Sequence, residues 1–158
     1  MAAAGGVKKD FFISYTGADV AWAEWVAWLL EDAGYTVLIQ AWDFRPGQSF
    51  VRQMQEGSEG CARTLLVLSP RYFHSDFTAA EWEAAFVKDP AGEGRLLPVR
   101  IEACAPPGLL ARLIYVDLFG IEQEAARERL LAAVKQTRAK PSAAPRFPRA
   151  AAKPAQPA

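Results

Sequence analysis

Glu81 is a carboxylate whose residue type and spacing admit two roles. It ends the run Phe77-Thr78-Ala79-Ala80-Glu81. Thr78-x-x-Glu81 has the spacing of a capping box, in which the carboxylate bonds back to the Thr78 amide. The same group can instead act as a fixed negative charge beside a cationic reacting centre. Spacing alone favours the capping role. Glu83, two residues on, points to a different face of the same helix and reads as solvated. Other reactive groups are sparse. His74 is the only histidine. It neighbours Ser75 and Asp76, but no Gly-x-Ser-x-Gly elbow accompanies them, so it reads as a surface-loop residue rather than a triad member. Cys61 and Cys104 have no His or Cys cluster beside them and read as reduced core thiols. No Gly-x-Gly-x-x-Gly follows the first strand and no phosphate loop occurs, which sets aside redox Rossmann enzymes and NTPases.

The elements that must position these groups alternate strand and helix. Asp10–Ser14 is a short apolar run that reads as a buried strand. Thr16-x-x-Asp19 fits a capping box and predicts a helix, with Trp22, Trp25, Val26, Leu29 and Leu30 on one face and Trp28 at its margin. Gly34 fits a glycine C-cap. Thr36–Gln40 is the second strand. A long loop, Ala41–Ser49, follows, with Pro46-Gly47 as its turn signal. Phe50–Gly60 is a helix, Thr64–Leu68 the third strand, Ser69–Phe77 a loop and Thr78–Val87 a helix. Asp89–Gly94 is a surface loop and Leu96–Ile101 the fourth strand, in which Pro98 implies an edge-facing or bulged position. Pro106-Pro107-Gly108 breaks the chain. Leu113–Val116 is a brief fifth strand, and Glu122–Arg138 a helix acidic at its start and basic at its end.

This alternation predicts an α/β fold: a five-stranded parallel sheet covered on both faces, in the flavodoxin-like order 2-1-3-4-5. Ligands of such sheets bind beyond the carboxyl ends of the strands, at the switch point, here between the first and third strands. Ser14 and Tyr15 follow the first strand. The loop carrying Phe77 follows the third. Trp42, Asp43, Phe44 and Arg45, after the second, can fold over the same mouth. Alternatives remain for several of these. Trp42 and Phe44 can be buried loop anchors or an assembly surface, and Arg45 a solvated charge.

The chain has 158 residues with 18 basic and 18 acidic side chains. Four of the basic ones, Lys140, Arg146, Arg149 and Lys153, lie beyond Arg138 without an acid. That leaves 14 basic against 18 acidic residues, so the body carries about −4. A mildly acidic body argues against nucleic acid as a partner. No run approaches the ~18 apolar residues of a membrane span, and the start lacks a secretory signal, so a cytoplasmic location without membrane contact is expected. Five of the eleven prolines fall after Arg138. The expected organisation is a flexible start at 1–8, one domain at 9–138 and a disordered Pro/Ala-rich linker or tail at 139–158.

Three segments resemble a known family. Phe11-Phe-Ile-Ser-Tyr15 looks like the opening motif of Toll/interleukin receptor (TIR) domains, bacterial type. Arg45-Pro46-Gly47 resembles the tip of that family's BB loop. Leu66-Val-Leu-Ser-Pro70 and Ser75-Asp-Phe-Thr-Ala-Ala-Glu81 resemble its third strand and the segment carrying its glutamate. The resemblance covers roughly Lys9 to Arg138. Many members of the family cleave NAD⁺ at the nicotinamide–ribose bond, and others only bind partner domains. The resemblance therefore implies an NAD⁺ nucleosidase, possible cyclisation of the ADP-ribose, and Glu81 as the catalytic residue. NAD⁺ is then a substrate, and no cofactor or metal is needed. Ser14, Tyr15, Trp42, Asp43, Arg45 and Phe77 become the expected substrate contacts. Phe77-Thr78 stands where the family often has Trp-Cys or Trp-Thr, which keeps an aromatic wall. It further implies activation by self-association through TIR–TIR contacts, including filaments, and a role in bacterial antiphage signalling. The tail is expected to lead to a C-terminal sensor domain. The competing reading is a non-catalytic TIR–TIR interaction module.

Overall fold

A computed structural model describes residues 9–74, 95–106, 111, 113–135, 138 and 140–148. Its strands are β1 (Lys9–Ser14), β2 (Val37–Ile39), β3 (Cys61–Leu68), β4 (Leu96–Arg100) and β5 (Val116–Asp117). The helices are α1 (Val20–Asp32), α2 (Gln40–Asp43), α3 (Phe50–Gly60) and α4 (Gln123–Val134). The five strands form one sheet in the order β2-β1-β3-β4-β5, and each adjacent pair is parallel, as the sequence predicts. The expected helix Thr78–Val87, with Phe77, Glu81 and Glu83, lies outside the described residues. So do the loop Asp89–Gly94 and Pro107-Gly108.

Alternation along the strands sorts the core into two faces. Phe11 and Ile13 of β1, with Leu65 and Val67 of β3, join Val26, Leu30, Leu130 and Val134 in the main core under α1 and α4. Phe12 turns to the other face and packs with Cys61, Leu38 and Phe44. There α3 comes close: a Cβ added to Gly57 would stand 2.7 Å from the Phe12 ring. Leu66, Leu68 and Tyr72 form a further cluster with Leu96, against which Cys104 packs. The two cysteines thus sit in separate clusters.

Helix ends follow local chemistry. After α1, the Gly34 N–H donates to Glu31 O at 3.0 Å and the Tyr35 N–H to Leu30 O at 3.0 Å. With Gly34 at φ +99° this is a Schellman cap, the predicted glycine stop. Four expectations shift. Trp28 is not at the core margin but 61% exposed, because Ala23, Val26, Ala27 and Leu30 occupy the buried stripe. The loop after β2 contains a helical turn, α2. The fifth strand falls at Val116–Asp117 rather than Leu113–Val116. The last helix ends at Val134, not Arg138: Arg63 of β3 donates to the Val134 carbonyl at 3.2 Å and takes the place of a further turn.

Pro98 is neither at a sheet edge nor in a bulge, contrary to expectation: β4 lies between β3 and β5, and its register with β3 runs unbroken through Leu66 and Pro98. The Ile101 N–H donates to Leu68 O of β3, while Arg100 O accepts from the Leu118 N–H. Odd-numbered amides of β4 therefore face β3 and even-numbered ones face β5. Pro98 falls on the β5 side with no N–H to give. Pairing with β5 begins at Val99, just after it.

Candidate functional site

The switch point lies between β1 and β3, and their carboxyl ends are joined by two polar bridges. The deeper one links Ser14, fully buried at the end of β1, to Tyr72 in the turn Tyr72–His74 after β3. Ser14 Oγ and Tyr72 Oη stand 2.9 Å apart. Phe73 packs edge-on against the Tyr72 ring at 5.3 Å. Burial requires each hydroxyl to have a partner, and each supplies the other's.

The upper bridge centres on Asp19. The sequence places it in a capping box with Thr16, but the Thr16 side chain caps nothing. A 3-10 turn, Gly17–Asp19, precedes α1, and the Asp19 carboxylate is 4% exposed. Its Oδ2 accepts from Ser69 Oγ at 2.5 Å. Its Oδ1 accepts from Arg71 Nε at 3.0 Å and Nη2 at 2.8 Å. Arg71 Nη2 also lies 2.9 Å from Glu102 Oε2 in the loop after β4. The hydrogen bond to Asp19 holds the Arg71 guanidinium above its ordinary range. Loops from three strands are thus tied together at one end of the sheet. The sequence reading overlooked Asp19, Arg71 and Glu102 as a group.

The long loop after β2 wraps the β2 edge of the sheet. Asp43 Oδ2 accepts from the Ile39 N–H at 2.8 Å and clips the α2 turn to its strand. Trp42 leans toward α1, its Nε1–H donating to Glu24 Oε2 at 2.8 Å. Phe44 turns the opposite way and packs against the Phe12–Cys61 cluster. Arg45-Pro46-Gly47-Gln48 then makes a type II turn: the Gln48 N–H donates to Arg45 O at 3.2 Å and Gly47 has φ +89°. The Arg45 side chain is exposed at this tip. A groove of about 280 Å³ beneath it is lined by Gln40, Phe44, Arg45, Gln48 and Gln53.

Ser14 and Tyr15 therefore lie at the switch point, both buried, with Tyr15 in the main core. Trp42, Asp43 and Arg45 lie together at the β2 edge. Phe77 and Glu81 fall outside the described residues. Beyond β4, Arg100 grips Asp117 of β5 at 2.6 and 2.7 Å, bonds the Cys104 carbonyl and stacks between Tyr115 and Phe119. That cluster fastens the short β5 and holds the Asp117 carboxyl below the usual carboxylate range through the Arg100 hydrogen bonds. Burial pushes the Cys61 thiol up to about 11. Among the described residues there is no group of His, Cys, Asp and Glu suited to a metal, and no helix long and apolar enough to cross a membrane.

Comparison with known proteins agrees with this architecture. The sequence model of the family described as TIR domain matches residues 11–131. The chain is 29% identical over 93 residues to a probable 2′ cyclic ADP-D-ribose synthase, TcpB, of Brucella abortus, covering 58% of this chain and 37% of that protein. It is 31% identical over 91 residues to an NAD(+) hydrolase, PdTIR, of Paracoccus denitrificans, covering 57% and 30%. The matches span about a third of the length of these relatives. Among solved structures, the TIR domain of a Toll-related receptor from Hydra magnipapillata superposes with a TM-score of 0.66 at 22% identity, covering 78% of this chain and 92% of that one. A metazoan TIR-STING receptor from C. gigas gives 0.65 at 21%, covering 81% and 40%.

Proposed function

The chain belongs to the TIR-domain family, and from that premise we propose that it cleaves NAD⁺ at the nicotinamide–ribose bond, with Glu81 as its catalytic residue. The observation that carries the reading is the alignment with two bacterial proteins, one named as an NAD(+) hydrolase and the other as a probable cyclic ADP-ribose synthase.

The chemistry suits a single carboxylate. A glycosidase needs a second, because its alkoxide leaving group must be protonated. When the C1′–N bond of NAD⁺ breaks, the electron pair moves onto a pyridinium nitrogen and nicotinamide leaves neutral, so no general acid is required. Water then adds to C1′ and loses a proton, giving ADP-ribose. If a ribose hydroxyl adds instead, the product is cyclic. An ionised Glu81 stabilises the oxocarbenium ion and accepts a bond from a ribose hydroxyl. At its reference pKa of ~4.3 a glutamate is already ionised at neutral pH. Phe77 supplies an aromatic wall, and Arg45 and Trp42 meet the phosphates and adenine. Asp43, Tyr15 and Ser14 shape the crevice from behind, since Ser14 and Tyr15 are buried and Asp43 is bonded to its own strand.

The activity is switched by self-association in the cytoplasm. The exposed Arg45 tip and the exposed Trp28 and Trp42 provide the anchors. A sensor segment following the tail brings copies together, and NAD⁺ loss or the nucleotide product serves antiphage signalling. Mass spectrometry of products after incubation with NAD⁺ at rising protein concentration tests the reading. Nicotinamide release should rise more than proportionally with concentration, and Pro46→Ala, at the turn that shapes the tip, should flatten that rise. Intact NAD⁺ at all concentrations would favour the interaction-module reading, for which the same exposed tryptophans speak.

A further inference from the structure

Asp19 is a buried charge that the proposed chemistry leaves unused. It occupies the N-cap position of α1, where an aspartate ordinarily accepts from the helix's own first amides. Here it makes no such bond. Its carboxylate instead accepts from residues 50 and 52 positions away, Ser69 and Arg71. Local capping has been given up for a long-range link. That link joins the loop after β1 to the loop after β3, the two walls of the switch-point crevice. Burying an ionised carboxylate is costly unless it is paired and fully hydrogen-bonded. Asp19 meets that condition with three charge-assisted or short bonds. Glu102 extends the link to the loop after β4.

We propose that Asp19 and Arg71 are positioning residues: their bridge fixes the spacing between the β1 and β3 loops, and with it the turnover of a substrate held between them. The inference rests on the proposed NAD⁺ reading for its kinetic part. Arg71 is two residues past Ser69 and ten before Glu81 in the chain, so the bridge anchors the start of the segment that runs on to the carboxylate. A loop set an ångström out of place leaves ground-state binding nearly intact while spoiling alignment with the reacting carbon. Such misplacement costs up to about 100-fold in rate.

The test compares Asp19→Asn, Arg71→Met, Arg71→Lys and the double variant Asp19→Asn/Arg71→Met with the unaltered chain. Two readouts are taken: steady-state nicotinamide release and backbone amide hydrogen exchange. Asp19→Asn keeps the shape and the Ser69 bond but loses the charge, and Arg71→Met removes the fork. Each should lower kcat by about 10–100-fold with KM within threefold. The double variant should be no worse than the poorer single one, because both break the same bridge. Arg71→Lys should recover part of kcat. Exchange should quicken at the amides of 17–19 and 71–73 and stay unchanged in β4. Folded variants with kcat near that of the unaltered chain would overturn the proposal. So would a KM rise at constant kcat, or faster exchange throughout the sheet. If the unaltered chain cleaves no NAD⁺, the enzymatic reading fails separately and exchange alone decides. A local rise then upholds the bridge as the device that fixes the loops, and no rise overturns it. Should Asp19→Asn fail to fold, the Arg71 pair, at a half-exposed side chain, carries the same comparison.

Discussion

Substituting alanine at two glycines of α3 should have opposite effects, and the difference can be worked from the packing. A Cβ at Gly57 would lie 2.7 and 2.9 Å from two carbons of the Phe12 ring and 3.0 Å from Leu38 Cδ2. Ordinary carbon contacts begin near 3.5 Å. Phe12 is fully buried, so its ring cannot swing into solvent. Either α3 lifts from the sheet or the ring leaves its rotamer. Overpacking of this kind costs about 1–3 kcal/mol, and alanine's better helix propensity returns about 1 kcal/mol. Gly57→Ala should therefore destabilise by about 1 kcal/mol, and by about 2 kcal/mol if the helix cannot lift. Gly60 ends the same helix, has nothing within 4 Å of an added Cβ and does not have a positive φ. Gly60→Ala should stabilise by about 0.4–1 kcal/mol, by restricting the unfolded chain. Urea melts read both as midpoint shifts at constant slope. A Gly57→Ala midpoint at or above that of the unaltered chain, with the same slope, would refute the claim that α3 is seated through this glycine.

Glu81→Gln should lower NAD⁺ cleavage by about 10²–10³-fold while leaving the melting temperature unchanged, since glutamine still completes a capping box; a folded variant with full turnover removes Glu81 from the chemistry. Asp117 has its folded pKa depressed by Arg100, so its contribution to stability is present above about pH 4, the unfolded carboxylate value, and is lost as pH falls through the folded value. The gap in urea midpoint between the unaltered chain and Asp117→Asn should accordingly be open at pH 7 and narrow at pH 3. Cys61, with its thiol near 11, should resist a thiol reagent at pH 8 until the chain is unfolded, whereas the half-buried Cys104 reacts first; equal native rates would contradict the packing of Cys61 under Phe12 and Phe44. Removing the chain after Arg138 should move the melting temperature by no more than about a degree, because described tail residues such as Pro141, Pro145 and Phe147 are exposed and bury nothing.

The sheet was legible because its signals are local. The apolar runs of β1 and β3 are flanked by polar residues and too short for helices, and alternation of strand with helix leaves few topologies. Gly34 and Pro46-Gly47 carry their conformations in their residue types, and both turned as expected. At the end of α4 and in β5, where the structure departs from expectation, a distant residue decides the outcome. Arg63, 71 positions from Val134, ends α4. Pro98, on a neighbouring strand, limits where β5 can pair. The α2 turn is closed more locally, by Asp43 reaching back to Ile39, a contact whose spacing of four fits a helical turn but which the polar and turn-forming residues Arg45–Ser49 obscured.

The site was harder to read for the same reason. Thr16-x-x-Asp19 satisfies a capping pattern completely, and nothing within ten residues distinguishes it from a true cap. The distinguishing fact is that β1 and β3 are neighbours in the order 2-1-3-4-5. Once that order is set, polar residues within five positions of the end of either strand become possible partners. On the β1 side these are Tyr15, Thr16 and Asp19; on the β3 side, Ser69, Arg71 and Tyr72. Only one acid and one strong cation occur in the two sets, and they pair. The same rule brings Ser14, the last residue of β1, to Tyr72. Topology, once derived from periodicity, thus carries information about the site that motif spacing lacks. Ser14, Asp19, Ser69 and Tyr72 are buried in bridging the switch point, whereas the side chains of Arg71 and Glu102 stay about half exposed above them. On the NAD⁺ reading proposed above, a substrate held in this crevice rests over a floor whose two walls this bridge holds at a fixed spacing.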